Sequence, residues 1–399
     1  MNPMSIPRQT TCRGTRRAAL AALVLLTPIS LARAQFMVVG NDEKVWWDDA
    51  GKPINRAPGK DTIAIYDIKA PGTPKLLTAL QLENSIFGPP VNVAVAPSGD
   101  IALVANSVTQ VKDGDGWKPQ PDNKIYVIDL KAAPPKLIST VEGGKQPSGM
   151  AINRKGDLAL VANRADNTVS VLSIAGKDVK LIDTVAMGDS VAAVAITPDG
   201  KHAVAVKNTA NRVAWLDIDG QKVTYNKYDM IVGNFPYNVE IVPDGKIAIV
   251  NNNGNNGAAD GNVDTVAIID LEALPPRVID FVVVGDAPEG LAISPKGNLA
   301  VSVLLRGSNA DHKAFFYHKN GSLAVLKISG KKVTKIGEVE IGGLPEAVGF
   351  SPDGKYLYAG NFIDGDMSIL KVDGTKLTDT GKRMKIDGHP VAMRVSPPK

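Results

Sequence analysis

The chain has 399 residues, with 45 Lys and Arg against 41 Asp and Glu and a formal charge of +4. Five of those bases and no acid fall in the first 34 residues, so the remainder carries 40 bases against 41 acids, a net charge of −1. A near-neutral body has no electrostatic pull towards nucleic acid or anionic lipid. The only cysteine, Cys12, lies in the first segment and leaves the rest without a disulfide, a thiolate metal site, a cysteine nucleophile or a covalent c-type haem.

Residues 1–34 read as an export signal. Arg8, Arg13, Arg16 and Arg17 make a basic start, and Ala18 to Leu26 is an apolar run too short to span a bilayer. Ala32-Arg33-Ala34 supplies a small-x-small cleavage pattern, so the mature chain is expected to begin at Gln35. Thr15-Arg16-Arg17 partly matches a twin-arginine signal, and both export routes stay open. Cys12 precedes the apolar run and does not fit a lipobox. The expectation is a periplasmic or secreted monomer that does not insert in the membrane after cleavage. About 365 residues are enough to bury a large core.

From residue 36 onwards one pattern recurs. FMVVGN (Phe36 to Asn41) is a second strand with nothing before it, followed by third and fourth strands at Ile63 to Ile68 and Lys75 to Leu82. Whole copies then start at Pro90, Pro147, Val191, Pro236, Pro288 and Pro345. Each holds an alternating apolar strand, a tight turn with glycine, and a second strand. The glycine falls nine residues after the start, at Gly99, Gly156, Gly200, Gly245, Gly297 and Gly354. Seven residues further on stand Asn106, Asn163, Asn252 and Asn361, with Lys207 and Leu304 in the other two copies. PVAMRVSP (Pro390 to Pro397) is a first strand with nothing after it. Alternation rich in Val and Ile, broken by Gly, Pro and Asp, is a strand-and-turn signature. Four short strands in about 45 residues make a propeller blade. Six whole repeats and one blade assembled from both termini predict an all-β, seven-bladed β-propeller of four-stranded antiparallel blades over 35–399. The C-terminal strand is expected to close the ring on the N-terminal half-blade.

The LVAN, LYAGN and AIVNN strands, followed by TVSVL or MSILKV, resemble the YVTN-repeat, YncE-like propellers within the wider lactonase-like group. The resemblance covers residues 36 to 397. It implies the propeller fold, and it brings in periplasmic proteins of unsettled role, sugar-lactone hydrolases and the similar repeats of quinoprotein amine dehydrogenase heavy chains.

Four repeats are long, and each insertion falls between the second and third strands: Asp42 to Lys60, Ser107 to Asn123, Asn253 to Asp264 and Arg306 to Gly321. Strands alternate up and down, so all four are expected on one face, where a rigid scaffold carries its binding loops. Trp46, Trp47, Trp117, His312, Phe316, Tyr317 and His318 lie in them and are candidate ligand contacts. Asn106, Asn163, Asn252 and Asn361 reach the same face and are weighed both as turn residues and as ligand contacts. GDAPEG, GGLPEA and DGHPVA are consecutive inter-blade links, which put Glu289 and Glu346 at equivalent positions and His389 nearby. With Arg306 these residues could perform acid–base chemistry, and the two carboxylates could hold a divalent metal.

The first functional reading is a binding or scaffold protein whose insertion-bearing face takes a small molecule or a periplasmic protein. The alternative is a lactonase-like hydrolase using Glu289, Glu346, His389 and Arg306. A third reading is a redox-associated subunit resembling the amine dehydrogenase heavy chain.

Overall fold

A computed structural model describes residues 35–398 and scattered positions among the first ten. Arg8 and residues 11–34, which carry the export-signal reading and its cleavage site, lie outside the described residues. Among the described residues there is no helix, and seven four-stranded antiparallel sheets form the blades of a propeller.

Blade 2 shows the local logic. Its strands are Pro147–Ile152, Leu158–Asn163, Thr168–Ala175 and Asp178–Ala186, paired in chain order. Both faces of its second strand are buried, and Leu158 to Ala162 is apolar without a break. Leu160 packs into the layer shared with blade 3, beside Val194 and Leu216. Val161 packs into the layer shared with blade 1, beside Leu103 and Val127. The core is therefore a ring of inter-blade layers rather than one centre. Blades 3 to 6 repeat this order from Val191, Pro236, Pro288 and Pro345. Blade 1 departs in one respect. Its inner strand is only Val93–Val95.

Blade 7 is the split one. Pro390–Val395 pairs with Phe36–Asn41, with Met37 opposite Val395 and Asn41 opposite Pro390. Thr62–Asp67 and Lys75–Leu80 complete it. This pairing closes the ring, as the two half-repeats require.

The repeat proline sits opposite the repeat asparagine, as Pro147 does Asn163, Pro236 does Asn252 and Pro345 does Asn361. Just beyond each proline the register slips. In blade 5 Pro288 faces Leu304 while Leu291 faces Ser302, so Glu289 and Gly290 share one partner residue. That is a β-bulge, which bends a strand and re-aims its side chains.

At the tight-turn end of the channel, Arg394 of blade 7 donates to Glu240 of blade 4 at 2.5 Å. These blades are not neighbours, so the ion pair crosses the channel.

At the other end the insertions meet each other. Two of the four form hairpins rather than irregular loops: Val45–Trp47 with Pro53–Asn55, and Val108–Asp113 with Gly116–Pro121. Gln110 Nε2 donates to Asn55 Oδ1 at 3.0 Å, joining the two hairpins. Ala50 bridges to Asp311, joining the blade 7 insertion to that of blade 5. Gly261 lies against Phe315 and Phe316, joining blades 4 and 5. All four insertions thus form one cap over one face.

Candidate functional site

Under the cap, at the channel mouth, is a cavity of about 240 Å³ lined by Arg164, Tyr237, Asn256, Glu289, Asn309 and Glu346, with Trp47 and other apolar side chains between them. Tyr237, Glu289 and Glu346 each follow the repeat proline of three successive blades. The bulge at that position turns them inward, and both carboxyls are buried.

Glu289 and Glu346 hydrogen-bond to each other. Burial pushes Glu289 up to about 7, partly offset by hydrogen bonds from Glu346 and Asn253 and by the charge of Arg164. Glu346 is raised well above the ordinary carboxyl range by burial, by the charge of Glu289 and by their shared hydrogen bond. Two touching carboxyls in a low-dielectric site cannot both ionise easily. Near neutrality the pair therefore holds one proton, favouring Glu346, with the negative charge on Glu289.

Blade 4 holds Glu289 in place through two asparagines, Asn251 and Asn253. Asn253 Nδ2 donates to Glu289 Oε1 at 3.1 Å. Asn251 Nδ2 donates to the carbonyls of Glu289 and Gly290 at 2.9 and 3.1 Å, and its Oδ1 accepts from Ser302 Oγ. Asn252 has a different task, described below. A Cβ on Gly290 would collide with the Glu346 carbonyl, so glycine is needed for the two blades to approach. Arg164 lies over the Tyr237 ring at 5.8 Å, and its Nε is buried without a partner. The Tyr237 hydroxyl is pushed up by burial and by the charge of the two glutamates, partly offset by Arg164.

The structure corrects several sequence expectations. His389 does not join the carboxyl pair. It precedes Pro390 and so lies outside the bulge, its Nδ1 donates to the Phe362 carbonyl at 2.6 Å, and its ring packs on Trp46 at 4.8 Å. Arg306 turns away in a left-handed conformation and pairs with Glu340 at 3.4 Å. The cation beside the carboxyls is Arg164 instead.

Asn106, Asn163, Asn252 and Asn361 are buried latches rather than ligand contacts. Asn361 accepts from the Gly342 N–H and donates to Asp366 and Ser368. Asn163 donates to Thr168 and Ser170, Asn252 to Thr265, and Asn106 to Asp122.

Of the cap aromatics, only Trp47 reaches the cavity. Trp46 packs on Phe362 and His389, and Trp117 lies under Lys112 on the outer hairpin. His312 and Tyr317 stack on each other, with His312 beside Asp49. Phe316 and His318 line a separate rim pocket with Arg306.

Among the described residues no three His, Cys, Asp or Glu side chains converge as a metal set. Glu289 and Glu346 supply two carboxyls sharing a proton and faced by Arg164, which is a poor fit to a calcium or magnesium ion needing six or more oxygens.

No protein-family model matches the chain, and no curated protein matches it. Solved structures do. A 6-phosphogluconolactonase-like protein of Bacteroides fragilis is similar at 18% identity and TM-score 0.69, over 92% of this chain and 99% of that one. Its counterpart from Bacteroides uniformis gives 17% and 0.68, over 91% and 99%. A periplasmic gluconolactonase of Pseudomonas aeruginosa gives 16% and 0.67, over 91% and 99%. At these identities the likeness is one of fold: the chain is a seven-bladed β-propeller similar to lactonase-like propellers.

Proposed function

We propose that the protein is a lactonase-like hydrolase that opens a small cyclic ester at the channel mouth. The observation that carries this reading is the buried Glu289–Glu346 pair, holding a single proton beside Arg164. Glu289 takes a proton from water as the oxygen attacks the carbonyl carbon. The Arg164 guanidinium and the Tyr237 hydroxyl stabilise the oxyanion. Glu346 gives its proton to the ring oxygen as the C–O bond breaks, releasing a hydroxy acid. The pair ends with one proton, now on Glu289, and their hydrogen bond returns it to Glu346.

The lactonase-like neighbours support this reading over the binding or scaffold one. An interlocked cap with few aromatics free to touch a ligand also weakens the case for a broad docking face. An export signal, as expected from residues 1–34, would place the reaction in the periplasm.

The test is hydrolysis of a lactone panel by the wild type and by Glu289→Gln and Glu346→Gln. Loss of general acid or base work is expected to lower kcat/KM about 100-fold or more. Unchanged hydrolysis of every cleaved lactone by both variants would sink the proposal.

A further inference from the structure

We infer that the outer edge of blade 4 docks a second copy of the chain, through two-fold antiparallel pairing of the strand Arg277–Gly285. This goes beyond the hydrolase reading, uses none of its residues, and replaces the monomer expected from the sequence.

A propeller carries its own controls, because each residue of one blade has counterparts in the others. The fourth strand is the outer edge of a blade and pairs only with the third. In blade 4 the fourth-strand residue opposite Ala267 is Phe281. Its counterparts in the other blades are Ala79, Thr140, Thr184, Asp229, Glu338 and Arg383, all small, polar or charged. Two residues on, blade 4 has Val283 where blades 1, 5 and 6 have Glu142, Glu340 and Lys385. Phe281 and Val283 are 47% and 55% exposed. Other outer strands also expose an apolar residue, such as Ile138, Ile182 and Ile336, but it sits at the bulge in each blade, as Ile279 does here. Only blade 4 adds a large aromatic and a valine beyond the bulge.

An outer strand presents unpaired N–H and C=O groups, and charge is the usual guard against pairing there. From Phe281 to Gly285 this strand has no charge. A two-fold pairing centred on Val282 runs from Asp280 to Val284, clear of the bulge at Ile279. It sets each Phe281 against Val283 of the other copy, an aromatic with β-branched pair of the favourable kind. Asp280 falls opposite Val284, and Arg277 comes to the end of the other copy that carries Asp286. The same pairing would set Glu338 against Glu340 in blade 5 and Arg383 against Lys385 in blade 6, opposing like charges. Blade 4 is therefore complementary to itself where those two edges repel themselves. Self-complementarity is what a two-fold dimer needs of one patch, and an unrelated partner has no use for it.

The experiment is light scattering on size-exclusion chromatography of the protein over a range of chain concentrations. Mass should rise from one chain towards two as concentration increases. Phe281→Thr with Val283→Glu gives blade 4 residues that blades 2 and 5 already carry at these positions, so the fold should hold by circular dichroism. That variant should stay a single chain throughout. In a Cys12→Ser background, Val282→Cys should cross-link to itself on mild oxidation, since directly opposite residues have Cβ atoms about 4.5–5.5 Å apart. Val185→Cys, the same position in blade 2, should not. Single chains at every concentration, a dimer that survives the double substitution, or a dimer that Val282→Cys does not cross-link overturns the inference.

Discussion

Glu346 and Glu289 carry two pH dependences of opposite use. On the hydrolase proposal, the working form is the singly ionised pair. Activity should rise as Glu289 ionises through about 7 and fall when Glu346 loses its proton, giving a bell-shaped kcat/KM profile. For stability, both carboxyls have folded values above the ordinary 4.5. The folded protein therefore binds more protons than the unfolded one between about pH 4.5 and 7, and stability falls as pH rises through that window. The melting temperature is expected to be higher at pH 5 than at pH 8. Glu346→Gln should flatten that slope, because glutamine stays neutral throughout. Some slope will remain, since burial also raises Asp42 and Asp264 to about 6. An unchanged slope in the variant would show that the pair is not coupled as described.

The element that makes the site is the bulge after each repeat proline. Blade number, strand order and ring closure were all legible from the residue pattern, because spacing of Pro, Gly and Asn sets turns and pairing directly. Glu289 and Glu346 were legible as equivalent positions, but a two-residue periodicity cannot say which way a side chain points once a bulge intervenes. Arg164, Tyr237, Asn251 and Asn253 were missed. A signal did exist: Tyr237 occupies the same repeat position as the two glutamates, and Arg164 the same position as Asn253. His389 and Arg306 were misplaced by one or two residues of repeat register, enough to send each to another partner.

Gly290→Ala should destabilise the fold by about 1–3 kcal/mol, the usual cost of overpacking, and should lower activity beyond that by parting the carboxyls. Denaturant unfolding alongside kcat would separate the two effects. Asn361→Ala removes one hydrogen bond accepted from the link between blades 5 and 6 and two donated within blade 6. It should cost about 1–3 kcal/mol while leaving kcat/KM of the folded fraction near wild type.

For the whole molecule, closure depends on Pro390–Val395 lying beside Phe36–Asn41. Deleting residues 390–399 would leave an unpaired, uncharged strand edge on FMVVGN, the kind of edge that pairs with other chains. The truncated protein is expected to elute as oligomers larger than the intact protein, or aggregate, in size-exclusion chromatography. Elution like the intact protein would mean that the ring is held by its inter-blade layers alone.

The Arg394–Glu240 pair bears on turnover as well. On the hydrolase proposal, an ion pair spanning that end makes the capped side the way in and out, and the departing hydroxy acid meets the next lactone at Arg164. Product should therefore inhibit competitively. Arg394→Ala would add a second route that speeds entry and release alike, so the inhibition constant should stay unchanged and only a release-limited kcat should rise.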